Sequence, residues 1–195
     1  ALALKPDFAV ARVDRGDVLA AKGMVDAAVA DYQAALRSAP KLSVAHFKLG
    51  SLYELIQRPD DAEAAYLQAI ESDPRNIVAY NNLAWLSAER KTRLDDALVW
   101  AKRAVELAPD QPTFQDTLGW VFRARGELGK AAETLEKAAM IEPQRADIPY
   151  HLGIVYSDQG KNTEALAAFK LALKIDSNFY GAADANSRIS KLAPP

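Results

Sequence analysis

The sequence predicts an all-α chain of stacked helical hairpins, an α-solenoid. Three observations lead there. Pro6, Pro40, Pro74, Pro109 and Pro143 are separated by 34, 34, 35 and 34 residues, and the next step of 34 falls on Ser177. Two alanine series keep the same period: Ala28, Ala62, Ala97, Ala131 and Ala165, then Ala35, Ala69, Ala104, Ala138 and Ala172. The chain is 50% hydrophobic with 9 glycines in 195 residues, enough apolar surface for a core and a composition that favours helix.

A period of this length with apolar spacing inside it marks a repeated hairpin. Each proline ends a second helix, because it has no N–H to continue the ladder. Helices that approach to about 8–10 Å need small residues at the crossing. Gly16, Gly50, Ala84, Gly119 and Gly153 recur as that small residue in the first helices, and the alanine series do so in the second. Leu49, Leu83, Leu118 and Leu152 precede the small residue, and Tyr32, Tyr66, Leu135 and Phe169 recur in the second helix to fill the space between. The expected helices are 9–21, 26–38, 43–56, 60–72, 77–89, 94–107, 112–124, 128–141, 147–158, 162–175 and 180–192. Residues 1–8 read as the end of an upstream helix, so that the chain is expected to be a fragment of a longer one. Repeats follow at 9–42, 43–76, 77–111, 112–145 and 146–179. Residues 180–195 carry a capping helix that stops before Pro194-Pro195, its polar side formed by Asp184, Asn186, Ser187, Arg188, Ser190 and Lys191.

The order Leu152, Gly153, Tyr156, Gly160, Ala165, Phe169, Ala172, and in the second repeat Leu49, Gly50, Tyr53, Ala62, Tyr66, Ala69, Pro74, resembles the tetratricopeptide-repeat (TPR) family over nearly the whole chain. The resemblance implies a right-handed superhelix of five helix-turn-helix repeats with a C-terminal capping helix, and a protein-interaction scaffold without catalysis.

Three departures stand out. Arg15 occupies the leucine place of the first repeat, which predicts looser packing there. The third repeat has one extra residue in its Arg90-Lys91-Thr92-Arg93 turn, and Ser87 and Ala101 where aromatics are usual; Trp100, one place earlier, is expected to fill the gap. Pro149 falls in the first turn of a helix, where a missing N–H is tolerated.

In the family, the first helices line a concave groove. Carrying its positions over gives Val13, Asp14, Asp17 and Ala20; Phe47, Lys48, Ser51 and Glu54; Asn81, Asn82, Trp85 and Glu89; Asp116, Thr117, Trp120 and Arg123; and Tyr150, His151, Ile154 and Asp158. Trp85 and Trp120 hold equivalent places in adjacent repeats. Either they hold apolar anchors of a peptide, flanked by the amides and carboxylates of Asn81, Asn82 and Asp116, or they pack between first helices and stabilise the stack. The family's carboxylate clamp is not matched, since Val13 and Asp17 stand where its lysine and asparagine belong. Arg90, Lys91, Arg93, Arg123 and Arg125 form a basic cluster, read either as a patch for an acidic partner or as cations placed favourably at helix C-termini.

Other chemistry is excluded or unsupported. There is no cysteine, so no thiolate metal site, disulfide or cysteine nucleophile exists. His46 and His151 lie three repeats apart and cannot share a metal. No metalloprotease, phosphate-loop or nucleophile-elbow motif occurs, so no catalytic residue, cofactor or metal is expected. His151 reads as a hydrogen-bonding groove residue, with no nucleophile beside it. A net charge of −2 gives no pull toward nucleic acid or anionic membrane, and no apolar run is long enough to span a bilayer.

The expected partner is a protein or peptide, with homo-oligomer formation open. Two alternatives stand beside the groove reading. One is a self-assembling subunit of a bacterial envelope or exopolysaccharide assembly complex, because Asn82-Leu83-Ala84-Trp85-Leu86 and Asp116-Thr117-Leu118-Gly119-Trp120 resemble segments of bacterial TPR proteins of that kind. The other is a regulatory domain of a longer protein. The resemblance leaves cytoplasm and periplasm both open.

Overall fold

The computed structural model describes residues 6–192. Residues 1–5 of the upstream helix end expected at 1–8, and the stop at Pro194-Pro195, lie outside them. Eleven helices and no strand occur among the described residues. They are α1 (Pro6–Ala21), α2 (Val25–Ser38), α3 (Ser43–Leu55), α4 (Pro59–Ser72), α5 (Ile77–Arg90), α6 (Leu94–Leu107), α7 (Pro112–Ala124), α8 (Leu128–Ile141), α9 (Asp147–Asp158), α10 (Asn162–Ile175) and α11 (Ala182–Leu192). Two ends differ from expectation by more than one residue. Residues 6–8 open α1 rather than close an earlier helix, because Pro6 fits a first helical turn. α11 begins at Ala182, after a turn that holds Tyr180 and Gly181.

The chain divides into two compact units, Ala1–Leu86 and Ser87–Pro195, with the division inside α5. In the first unit α1 pairs with α2 and α3 with α4. In the second, α7 pairs with α8 and α9 with α10, and α11 packs on α10. The period-34 prolines lie two residues past the ends of α2, α4, α6 and α8, as chain stops.

The hairpin turns share one left-handed residue. Gly23, Gly126 and Gly160 take it at φ of 73°, 77° and 73°, while Gln57 and Lys91 take it at 59° and 53°. The residue after it donates to the carbonyl five back, as in Arg58 N–H to Tyr53 O (2.8 Å) and Glu127 N–H to Phe122 O (2.9 Å). In the turn with the extra residue, Arg93 adds a second left-handed position at 49°.

Both alanine series are fully buried, each member at 0% exposure. The first-helix glycines explain how closely the hairpins shut. A Cβ on Gly16, Gly50, Gly119 or Gly153 would lie 2.5, 2.7, 2.7 or 2.6 Å from the side chain of Tyr32, Tyr66, Leu135 or Phe169, sixteen residues on. No methyl fits there.

Arg15 is not a packing gap. Its Nε and Nη2 donate to both oxygens of Asp31, each at 2.5 Å, and Asp31 on α2 is buried. The pair Arg15–Asp31 thus stands where Leu49 and Ala65, Leu118 and Thr134, or Leu152 and Ala168 stand in the other hairpins, at the same separation of sixteen. In the second unit Trp100 is buried, and the Arg93 guanidinium lies over its ring at 4.8 Å.

Gly153→Ala should lower unfolding free energy in urea by about 1–3 kcal/mol, the usual cost of overpacking. Gly129→Ala, in α8 with open space around it, should cost nothing. The Arg15 hydrogen bonds, opposed by burial and aided by the charges of Arg15 and Arg12, hold the Asp31 carboxyl below the usual carboxylate range. A depressed folded-state pKa stabilises the fold above the unfolded value, about 3.9, and the gain is lost as pH falls through the folded value. Urea midpoints measured from pH 5 down to 2 should therefore fall less steeply in Asp31→Asn than in the parent, from a lower starting point.

Candidate functional site

The first-helix positions expected to form a groove divide between the two units, and each unit treats them differently. In the first, Asp17 and Ala20 of α1, Tyr32 of α2, and Lys48, Ser51, Leu52 and Leu55 of α3 line a 300 Å³ cavity. Its polar wall is fixed. Tyr32 Oη donates to Asp17 Oδ1 (2.6 Å), and Lys48 Nζ pairs with Asp17 Oδ2 (3.0 Å). Burial, then the Asp17 hydrogen bond and charge, push the Tyr32 phenol up, so it stays a donor at neutral pH. The other wall is apolar, and Leu55 is 68% exposed at the mouth.

A second polar group lies beside it. Tyr66 Oη donates to Glu54 Oε2 (2.8 Å), accepts from Asn82 Nδ2 (3.2 Å) and lies 3.2 Å from Ser51 Oγ. The Phe47 ring, half-buried, is 6.0 Å from the Tyr66 ring. Asn81 is buried, its Nδ2 3.4 Å from Asn82 Oδ1. Trp85 is half-buried.

In the second unit most of the expected residues join one network. His151 is 3% exposed and Asp116 4%. His151 Nδ1 lies 2.8 and 2.9 Å from the two Asp116 oxygens, and Tyr180 Oη lies 2.5 Å from His151 Nε2. The Trp120 ring lies between the His151 ring (4.7 Å) and the Arg123 guanidinium (4.5 Å), and its Nε1 donates to Glu89 (2.5 Å). Arg123 Nε donates to Asp158 (2.6 Å). Tyr150 Oη donates to Asp184 (2.9 Å); burial first, then that bond, pushes its phenol up to about 12. Thr117, on α7, is buried at 2%. A smaller, largely polar cavity of 270 Å³ opens among Glu89, Lys91, Trp120, Arg123 and Asp158.

For two sets of residues the sequence leaves two readings open, and the structure bears on both. Trp120 is 8% exposed, with the His151 ring and the Arg123 guanidinium against it, which favours packing in the stack over an open platform for a peptide. The basic cluster is not bare. Arg93 pairs with Asp96 (2.9 Å), Arg123 with Asp158, and Arg125 with Glu127 (2.6 Å) and Asp95. Carboxylates of α6, of the turn before α8 and of α9 pair with these three arginines. Sequence reasoning also missed two participants. Leu55 holds the same place in its repeat as Glu89 and Asp158 but is absent from the residues carried over for the second repeat. Tyr180 was assigned to the capping helix; the Tyr-Gly pair ahead of α11 was the available signal for a turn.

Four family models match, each described as a tetratricopeptide repeat, over residues 1–43, 44–76, 65–98 and 122–185. The chain belongs to the tetratricopeptide-repeat family. Tetratricopeptide repeats generally mediate protein–protein interaction, and their scaffolds are generally non-catalytic. A crystal structure of MamA protein superposes with a TM-score of 0.75 at 27% identity, covering 92% of this chain and 96% of that one. Protein O-mannosyl-transferase TMTC3 of Homo sapiens is 28% identical over 154 residues, 77% of this chain. A TPR repeat-containing protein of Pseudomonas aeruginosa is 33% identical over 84 residues, 43% of this chain. The chain spans only 17% and 14% of the length of those two relatives. Among the described residues, no helix is long and apolar enough to cross a membrane.

Within this tetratricopeptide fold Trp120 acts as core. Trp120→Ala should cost about 3–5 kcal/mol in urea unfolding, the range for a large buried aromatic.

Proposed function

We propose that this chain is a non-catalytic scaffold that binds a partner-protein or peptide segment in the trough of its first unit, with one apolar side chain of the ligand entering the cavity between α1 and α3. The carrying observation is the 300 Å³ cavity itself, lined by Asp17, Ala20, Tyr32, Lys48, Ser51, Leu52 and Leu55. That space accommodates a leucine- or phenylalanine-sized group. Burying such a group is worth about 1.5–3 kcal/mol. The polar wall is already satisfied internally by the Lys48–Asp17–Tyr32 bonds, so an apolar guest strands no buried donor or acceptor. Ligand backbone groups can reach Lys48 and Ser51 at the rim, both half-exposed. The extended or helical segments that tetratricopeptide grooves accept fit such an anchor-and-rim arrangement.

Mannosyl transfer, in the name of the human relative, describes that protein, of which this chain matches about a sixth. Here the one buried histidine of the trough has both ring nitrogens held by Asp116 and Tyr180, an arrangement suited to fixing position rather than to attacking a substrate.

The test is a random-peptide display selection on the full chain. Selected peptides should carry a recurring apolar residue, and should bind Ala20→Trp, which fills the cavity, at least about tenfold more weakly, a loss near 1.4 kcal/mol. Circular dichroism establishes that the variant is folded. Peptides that bind parent and filled variant equally would overturn the reading.

A further inference from the structure

The second unit contains a contact that repeat packing does not require. The turn between α10 and α11 folds over α9. Gly181 lies so close to Tyr150 that a Cβ would come within 2.7 Å of its ring. The rings of Phe179 and Tyr180 meet the Tyr150 ring edge-on, at centroid distances of 5.3 and 5.9 Å. From that turn Tyr180 reaches the buried His151, which is held in turn by the buried Asp116. His151 and Asp116 both occupy trough positions, on α9 and α7.

The hydrogen-bond roles follow from the chemistry. Burial and the charges of Asp116 and Asp147 push the Tyr180 phenol up, so it is protonated and donates. His151 Nε2 then accepts, and the imidazole proton lies on Nδ1, facing the Asp116 carboxylate. The dyad therefore offers one fixed acceptor at the base of an aromatic wall made by Tyr150 and Trp120.

The Tyr180 ring itself is 72% exposed. It is held through its hydroxyl and by ring contacts with Tyr150, His151 and Phe179, and most of its surface already faces water. A group so attached is displaceable, and the group that displaces it at equal cost must also bring a hydroxyl to His151. A ligand without one leaves a buried acceptor unpaired.

We infer that Tyr180 masks a second docking position in the trough of the second unit, and that the external occupant of this position is a tyrosine side chain of a partner segment, its hydroxyl donating to His151 Nε2. The position is separate from the cavity of the first unit and stands whether or not that cavity binds peptide. A bare tyrosine binds weakly here; flanking residues of a segment add contacts along α7 and α9.

The experiment uses the full chain, with N-acetyl-L-tyrosinamide as probe and N-acetyl-L-phenylalaninamide as its control. NMR reads the Trp120 indole N–H and the His151 imidazole. In the parent, neither compound should shift these signals saturably at millimolar concentration. In Tyr180→Ala, the tyrosine compound should do so, about fivefold more tightly than the phenylalanine compound, the size of one net hydrogen bond. No saturable shift in folded Tyr180→Ala, or equal affinity for both compounds, overturns the proposal. If that variant loses its helical circular dichroism, Tyr180→Phe decides instead. It keeps the ring but removes the hydroxyl that bonds His151 Nε2, and should admit the tyrosine compound more tightly than the parent does; no gain overturns the proposal.

Discussion

The contact between a first-helix glycine and the side chain sixteen residues later sets the spacing of these hairpins. Tyr32, Tyr66, Leu135 and Phe169 each lie where a Cβ on the facing glycine would stand. That closeness brings the two fully buried alanine series to the helix crossings and leaves no room for a second geometry. It also aims the second-helix ring through the hairpin toward the trough side. Tyr32 and Tyr66 arrive there with hydroxyls, which bind Asp17 and Glu54 and fix the floor of the first unit. Leu135 and Phe169 bring no hydroxyl. In the second unit the polar organisation comes instead from the first helices and from Tyr180.

Where the repeat is broken, it is broken in pairs. Arg15 would be an unsupported charge against a hairpin core, but the residue sixteen later is Asp31 rather than alanine or threonine, and the two carboxylate oxygens take the guanidinium side-on. Trp100 appears together with the extra turn residue, and the Arg93 that the longer turn supplies covers its ring. Gln57 and Lys91 accept the left-handed turn position without being glycine, a cost of about 1–2 kcal/mol each, offset locally by the turn hydrogen bonds that conformation permits.

The helices were legible to within a few residues because their determinants are local: a proline two residues past an end, a glycine or its substitute in the turn, alanine at the crossing. Five of the eleven, α6 to α10, match the expected ranges residue for residue. The trough was legible as a set of positions but not as a surface. Position in a repeat gives the direction of a side chain, and solvent access depends on what arrives from elsewhere. Trp120 points where the transferred positions place it, yet Arg123 and His151 cover it. His151 was readable as a hydrogen-bonding residue, but its two partners come from thirty-five residues before it and twenty-nine after, separations that no local pattern encodes. The basic cluster misleads for the same reason, since Asp158 lies thirty-five residues beyond Arg123.

The two units therefore present different thermodynamic problems to a ligand. In the first, the Asp17, Lys48 and Tyr32 groups on the polar wall of the cavity are paired before anything binds, and the other wall is apolar. A guest gains by removing apolar surface from water and need not break a bond. In the second, the polar groups are satisfied by one another across α7, α9 and the α10–α11 turn, and access to any of them means exchanging one hydrogen bond for another. Exchange contributes little affinity when the match is good and costs a buried unpaired group when it is not. On the proposed readings, the first trough would gain affinity from an apolar anchor, and the second would discriminate by hydrogen-bond complementarity.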